Sequence, residues 1–182
     1  AAVEAWRGAA ANMWHAGVDG IVTFNLGSGS PDPRLMDIGS PETLAGRNKL
    51  FVIDPRRILE GDLVQGITQD QALPITIPAN GKTVIARLPI GDDLATANRN
   101  GILASADLRI RLGDTKSAVE LRFNGTPLIA TEPVTDDGWI VFRPQPDQFR
   151  RGHNELAFRI ANASVDGPAA EVTHVELPVF YK

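Results

Sequence analysis

Val119-Glu120-Leu121-Arg122-Phe123-Asn124-Gly125-Thr126-Pro127-Leu128 is the stretch that decides the fold of this chain. Apolar and charged residues take turns through Val119 to Phe123, so one side of the segment is dry and the other wet, the pattern of a half-buried strand. Asn124-Gly125 follows at once, and that dipeptide between two such runs is the strongest short-range hairpin signal. Working outward, Leu108-Arg109-Ile110-Arg111-Leu112 alternates in the same way. Further strands are expected over 73–77, 83–88, 106–112, 118–123, 126–130, 138–143, 155–160 and 172–180, with Asn80-Gly81 as a second hairpin signal. Many short strands separated by Gly and Pro turns predict a sandwich or jelly roll from about residue 55 to 182. No repeat of fixed period and no low-complexity tract interrupts them.

Residues 1–54 follow a different grammar. Val3, Trp6, Ala10, Met13 and Trp14 recur at helical spacing, and Gly17 stands where a glycine would end the helix. Ile21-Val22-Thr23-Phe24-Asn25-Leu26 then reads as a short buried strand of the kind found in parallel sheets. A loop over 27–33 leads to Ser40-Pro41-Glu42-Thr43, an N-cap with proline at the first helical position. Leu50 to Asp54 closes the region as a further extended segment. One such unit cannot cover both faces of its own strand, so either a larger parallel sheet or the downstream domain must do so. The chain opens on Ala1 directly within the helical pattern, as expected of a piece of something longer.

Composition bounds the function. Of 182 residues, 43% are hydrophobic and 22% charged, which suits a globular chain with a real core. The net charge of −4, with Lys and Arg scattered, gives no electrostatic reason to expect nucleic acid or an anionic membrane. No stretch has the length of a transmembrane helix. The absence of cysteine excludes disulfides, thiolate catalysis and Cys-ligated zinc.

Two stretches resemble known families. Val119 to Leu128, the later Gly138-Trp139-Ile140-Val141-Phe142, and Phe149-Arg150-Arg151-Gly152-His153-Asn154-Glu155-Leu156 resemble the galactose-binding-like jelly rolls attached to bacterial glycoside hydrolases. In that turn Gly152 would permit the tight bend and Asn154 would bond the backbone. Trp14-His15-Ala16-Gly17-Val18-Asp19-Gly20-Ile21-Val22-Thr23-Phe24-Asn25 resembles the passage from the seventh helix to the eighth strand of a glycoside-hydrolase (β/α)8 barrel. The resemblance implies a mainly β chain: a short α/β remnant of a barrel over 1–54 and a galactose-binding-like jelly-roll sandwich over 55–182. It implies an extracytoplasmic or secreted parent, with the missing N-terminal barrel and a polysaccharide or oligosaccharide as partners. Asn25, at the C-terminal end of the last barrel strand, matches a substrate-facing position.

No catalytic residue is identified. A glycosidase needs two carboxyl groups across the scissile bond. The acidic pairs Asp92-Asp93 and Asp136-Asp137 are sequence neighbours beside glycine and read as solvated turns. His15, His153 and His174 lack metal-ligand spacing, and no metal or other cofactor is expected beyond a structural calcium in the sandwich loops. Gly27-Ser28-Gly29-Ser30 fits neither a nucleophile elbow nor a phosphate cradle. Trp139 is expected in the core, beside Val141 and Phe123. The sequon-like Asn124-Gly125-Thr126 and Asn162-Ala163-Ser164 are taken as chance. The function expected is an accessory C-terminal region of a carbohydrate-active protein, not catalytic alone. A stand-alone carbohydrate-binding module and a structural interaction domain are the alternatives.

Overall fold

The computed structural model describes residues 3–23, 32, 34–53, 73–113, 117–131, 138–164 and 167–182. These form α1 (Val3–His15), α2 (Pro41–Leu44), β1 (Lys49–Ile53), β2 (Ile75–Ile77), β3 (Val84–Ile90), α3 (Leu94–Arg99), β4 (Leu103–Ala106), β5 (Leu108–Leu112), β6 (Val119–Phe123), β7 (Thr126–Leu128), β8 (Trp139–Phe142), β9 (Gly152–Ile160) and β10 (Ala170–Tyr181). A turn of 3-10 helix at Pro146–Gln148 precedes β9.

The strands build two antiparallel sheets. The larger runs β1-β10-β5-β8, with β2 and β4 also paired to β10, and the smaller runs β3-β9-β6-β7. The alternation read from the sequence sets which side faces in. Leu108 and Ile110 are buried while Arg109 is exposed, and Leu121 and Phe123 are buried while Glu120 and Arg122 are exposed. Phe51, Ile110, Val175 and Leu177 of one sheet share a core with Leu88, Phe123, Leu156 and Phe158 of the other. Phe123 meets Phe149 edge to face, ring centres 5.3 Å apart, the geometry aromatic quadrupoles prefer. The mainly β sandwich expected from the sequence is therefore observed.

The Asn124-Gly125 hairpin is present: both residues have positive φ, 49° and 87°, and β6 pairs with β7 across them. Asn80-Gly81 also turns the chain, but not as a hairpin. β2 pairs with β10 and β3 pairs with β9, so this turn arches from one sheet to the other. Turn chemistry fixes the reversal and not the partner, and the sandwich core separates the two strands.

In the first region α1 and α2 are present. Gly17, with φ +88°, ends α1. Ser40 caps α2, its Oγ accepting from Thr43 N at 3.3 Å, with Thr43 Oγ1 answering Ser40 N. The strand expected over 21–26 is not formed in its described part: Ile21 to Thr23 carry no strand, and Val22 is 97% exposed. The remaining residues, 24–26, lie outside the described residues. The extended segment after Arg47 is β1, which pairs antiparallel with β10 from Lys49↔Val179 to Ile53↔Val175. The sandwich, not a parallel sheet, covers it.

Helix α1 lies against the sandwich through its smallest residues, Gly8, Ala10 and Ala11. A Cβ on Gly8 would stand 2.2 Å from the Leu50 carbonyl oxygen, and one on Gly91 would stand 2.2 Å from that of Ala11. Two backbones thus touch at two places, which only glycine permits. Trp6 and Trp14 pack beside this seam, whereas Met13 is 46% exposed and leaves the expected apolar stripe. Arg7 joins Asp37 through Nε at 2.8 Å and Nη2 at 2.7 Å, and Trp14 Nε1 donates to the Ile38 carbonyl at 3.0 Å. Among the described residues no helix is long and apolar enough to cross a membrane.

Candidate functional site

A cleft of about 280 Å³ opens where α1 and the end of α2 meet the β3–α3 connection. Its base is a buried ion pair. Period-2 alternation in β1 puts Lys49 on the same inward face as Phe51 and Ile53, so its ammonium must find partners inside the protein. It finds three: the Leu44 carbonyl at 2.6 Å, the Arg47 carbonyl at 3.1 Å, and Asp92 Oδ2 at 2.9 Å. Every N–H of the amine is engaged, and Nζ also lies 5.0 Å from the centre of the Tyr181 ring. Tyr181, near the end of β10, donates its hydroxyl to the same Asp92 oxygen. Burial first, then the Asp92 charge and this hydrogen bond, raise the Tyr181 phenol well above the ordinary tyrosine range.

The neighbouring carboxylate has another duty. Asp93 caps α3, with Oδ1 accepting from Thr96 N at 2.8 Å and Oδ2 from Thr96 Oγ1 at 2.7 Å. These bonds, the backbone one first, hold its pKa below the usual carboxylate value. The pair therefore does not serve as turn solvation. One member neutralises a buried lysine and the other starts a helix missing from the sequence-based expectation. Arg151 closes one wall, its Nε held by the Gly91 carbonyl at 2.8 Å. Trp14, Asn100 and Ile102 also line the cleft.

The turn that carried the sandwich resemblance is built as expected. Gly152 has φ +98°, and Asn154 is wholly buried. Asn154 Oδ1 accepts from Arg150 N and Asn124 Nδ2, both at 2.8 Å, while its Nδ2 donates to the Arg150 carbonyl at 2.7 Å and the Gly152 carbonyl at 3.1 Å. Asn124 in turn donates to the Gln148 carbonyl and accepts from Glu155 N. Its amide is thus fully engaged in the fold.

Trp139 is not in the core. It pairs with Arg111, which pairs on its other side with His174. Directly opposed residues share a face, and the inward residues of β8 are Ile140 and Phe142, opposite Ile110 and Leu108. Trp139, Arg111 and His174 therefore form a row on the outer face of the larger sheet, the Trp139 and His174 rings 5.9 Å apart. Phe123, its expected neighbour, belongs to the other sheet. Trp139 and Val141 share a face, as period 2 requires, but it is the outer one, because β8 borders β5 with Ile140 and Phe142 turned inward.

Asn25 lies outside the described residues, as do Gly27 to Ser30 and Asp136-Asp137. His15 stands against Gly152, its Nε2 3.1 Å from where a Cβ would be, and His174 is in the outer row. Among the described residues no three His, Asp or Glu side chains gather as a metal site.

No protein-family model and no curated protein matches the chain. Among solved structures it is similar to a beta-porphyranase of glycoside hydrolase family 86 from the human gut bacterium Bacteroides plebeius. The TM-score is 0.39 at 14% identity over 60% of this chain. The chain spans 19% of that protein's length, and no residue role is carried across.

Proposed function

We propose that this chain is the C-terminal accessory region of a glycoside-hydrolase-like, carbohydrate-active protein, and that it does not catalyse alone. In this reading the sandwich is a galactose-binding-like jelly roll that buttresses a preceding barrel and contacts polysaccharide. Residues 1–54 derive from the barrel's last unit, with β1 lent to the sandwich and Asn25 facing substrate. The parent acts outside the cytoplasm.

The observation that carries the reading is the seam between α1 and the sandwich. Two backbone contacts at glycine fix the helix to the sandwich, and Arg7 ties it to Asp37 and to the Asn48 carbonyl just before β1. Whatever is joined to α1 is held rigidly on the sandwich, as a buttress requires. The turn at Gly152 and Asn154 supports the jelly-roll resemblance locally. A stand-alone carbohydrate-binding module is the second reading, favoured by the Trp139 ring lying on the outer face beside His174, since an indole face is a common platform for a sugar ring.

The test is electrophoresis of the chain through native gels containing soluble polysaccharides, with reducing-sugar release measured in parallel. Retardation by at least one polysaccharide without sugar release is expected. Mobility unchanged by every polysaccharide would overturn the carbohydrate contact, and sugar release by the chain alone would overturn its non-catalytic character.

A further inference from the structure

We propose that the cleft between α1 and α3 takes a single uncharged hexopyranose unit of a glycan. This rests on the carbohydrate reading above and names the site within it. The cleft volume, about 280 Å³, lies just below the range of drug-sized pockets and suits one ring better than a chain. The walls have the mixed character that a sugar ring needs, with apolar C–H faces and polar edges. Trp14 contributes ring carbons only, because its Nε1 is bonded to the Ile38 carbonyl, and Ile102 adds further apolar surface.

Two groups are available for hydroxyls. Both bonds received by Asp92 fall on Oδ2, and its Oδ1 accepts none from the described residues, although Asp92 lines the cleft. Arg151 is anchored through Nε to the Gly91 carbonyl, which fixes the plane of its guanidinium, and its two terminal amino groups pair with no carboxylate among the described residues. A pre-oriented acceptor and a planar donor at one small apolar wall can bond vicinal hydroxyls. Charge selects the ligand class. Lys49 and Arg151 balance Asp92 and Asp93, so the cleft has no net field to attract a uronate or a sulfate. Lys49 itself has no N–H to offer, which leaves it as scaffold.

The experiment maps amide chemical shifts of the isotope-labelled chain during titration with methyl galactoside, methyl glucoside and methyl mannoside. Arg151→Gln is compared with Trp139→Ala. Saturable shifts at Gly91 to Ala97 and Arg151 are expected with at least one glycoside. Arg151→Gln should weaken binding about tenfold, the loss of one charge-assisted hydrogen bond, and Trp139→Ala should leave it unchanged. Should Arg151→Gln not fold, the shifts of the unaltered chain still decide. Shifts confined to β5, β8 and β10, abolished by Trp139→Ala, would overturn the cleft while the carbohydrate reading stood. Gel retardation by a polysaccharide with no cleft shifts would do the same. No shifts and no retardation would overturn both.

Discussion

Replacing Asn154 with alanine tests whether the turn before β9 is held by one side chain. In the native fold this buried amide satisfies the Arg150 N–H and carbonyl, the Gly152 carbonyl and one Asn124 amide hydrogen. Asn124 keeps its bond to the Gln148 carbonyl, and the Gly152 contact is the longest of the set, so two backbone groups bear most of the loss. Each polar group left without a partner in a buried setting costs about 1–3 kcal/mol. Partial re-solvation of the vacated space brings the expected total to about 3 kcal/mol, a large share of the roughly 5–15 kcal/mol that holds a domain folded. With a urea m-value of about 2 kcal/mol/M, the unfolding midpoint should fall by about 1.5 M. Asn154→Asp should be equally harmful at neutral pH, since it turns an oxygen toward two carbonyls, and should ease in acid as the carboxyl gains a proton. Asn124→Gly accepts the positive φ without strain, and a double-mutant cycle with Asn154→Ala should give a coupling of about 1 kcal/mol. A midpoint shift below about 0.5 M at unchanged m would show that the turn holds itself and that the amide only fills space.

Gly91→Ala should destabilise by more than about 2 kcal/mol through overpacking against the Ala11 carbonyl, and should speed hydrogen exchange across α1; an unchanged melting curve would dissolve the seam. Lys49→Met strands Asp92 and should cost about 3–5 kcal/mol, partly recovered by adding Asp92→Leu; a loss as small as that of a surface substitution would deny the pair its role. Tyr181 is the sole tyrosine, so phenolate absorbance reports it alone. Because its pKa is raised in the fold, its contribution is complete below the ordinary value of about 10 and declines as pH rises beyond it. Phenolate should therefore appear only with unfolding, and its appearance near pH 10 in folded protein would contradict the buried hydroxyl. Asp93 has the opposite sign: its lowered pKa gives stability that is present above the ordinary aspartate value and lost as pH falls. Asp93→Ala should cost about 1 kcal/mol as a lost cap and flatten the acid limb of the stability curve; an acid midpoint and slope identical to the parent's would remove that role.

The strands of the sandwich were legible because burial on one side imposes period 2, and Leu108 to Leu112 and Val119 to Phe123 obey it. Hairpin chemistry was legible at Asn124-Gly125. Pairing was not, since Asn80-Gly81 has the same composition and joins different sheets. α3 escaped because Asp93-Leu94-Ala95-Thr96 carries its cap signal within a helix too short to show a period. Ile21 to Thr23 misled because β-branched apolar residues favour extended backbone only where a sheet receives them. The base of the cleft was half visible: Lys49 stands in phase with Phe51 and Ile53, and a lysine on a dry face demands a counter-charge. Nothing in the sequence said that Asp92, far along the chain, would supply it. Trp139 was misplaced because period 2 shows that Trp139 and Val141 share a face without showing which face of the strand turns inward.

β10 follows the other described strands along the chain, yet β1, β2, β4 and β5 all hydrogen-bond to it. The described strands of the smaller sheet are all present once β9 exists, but the larger sheet has no centre until residues 170–181 have been synthesised. During translation four strands must wait with open edges, and long-range pairing of this kind is slow. The nascent chain is thus most vulnerable to aggregation just before β10 emerges.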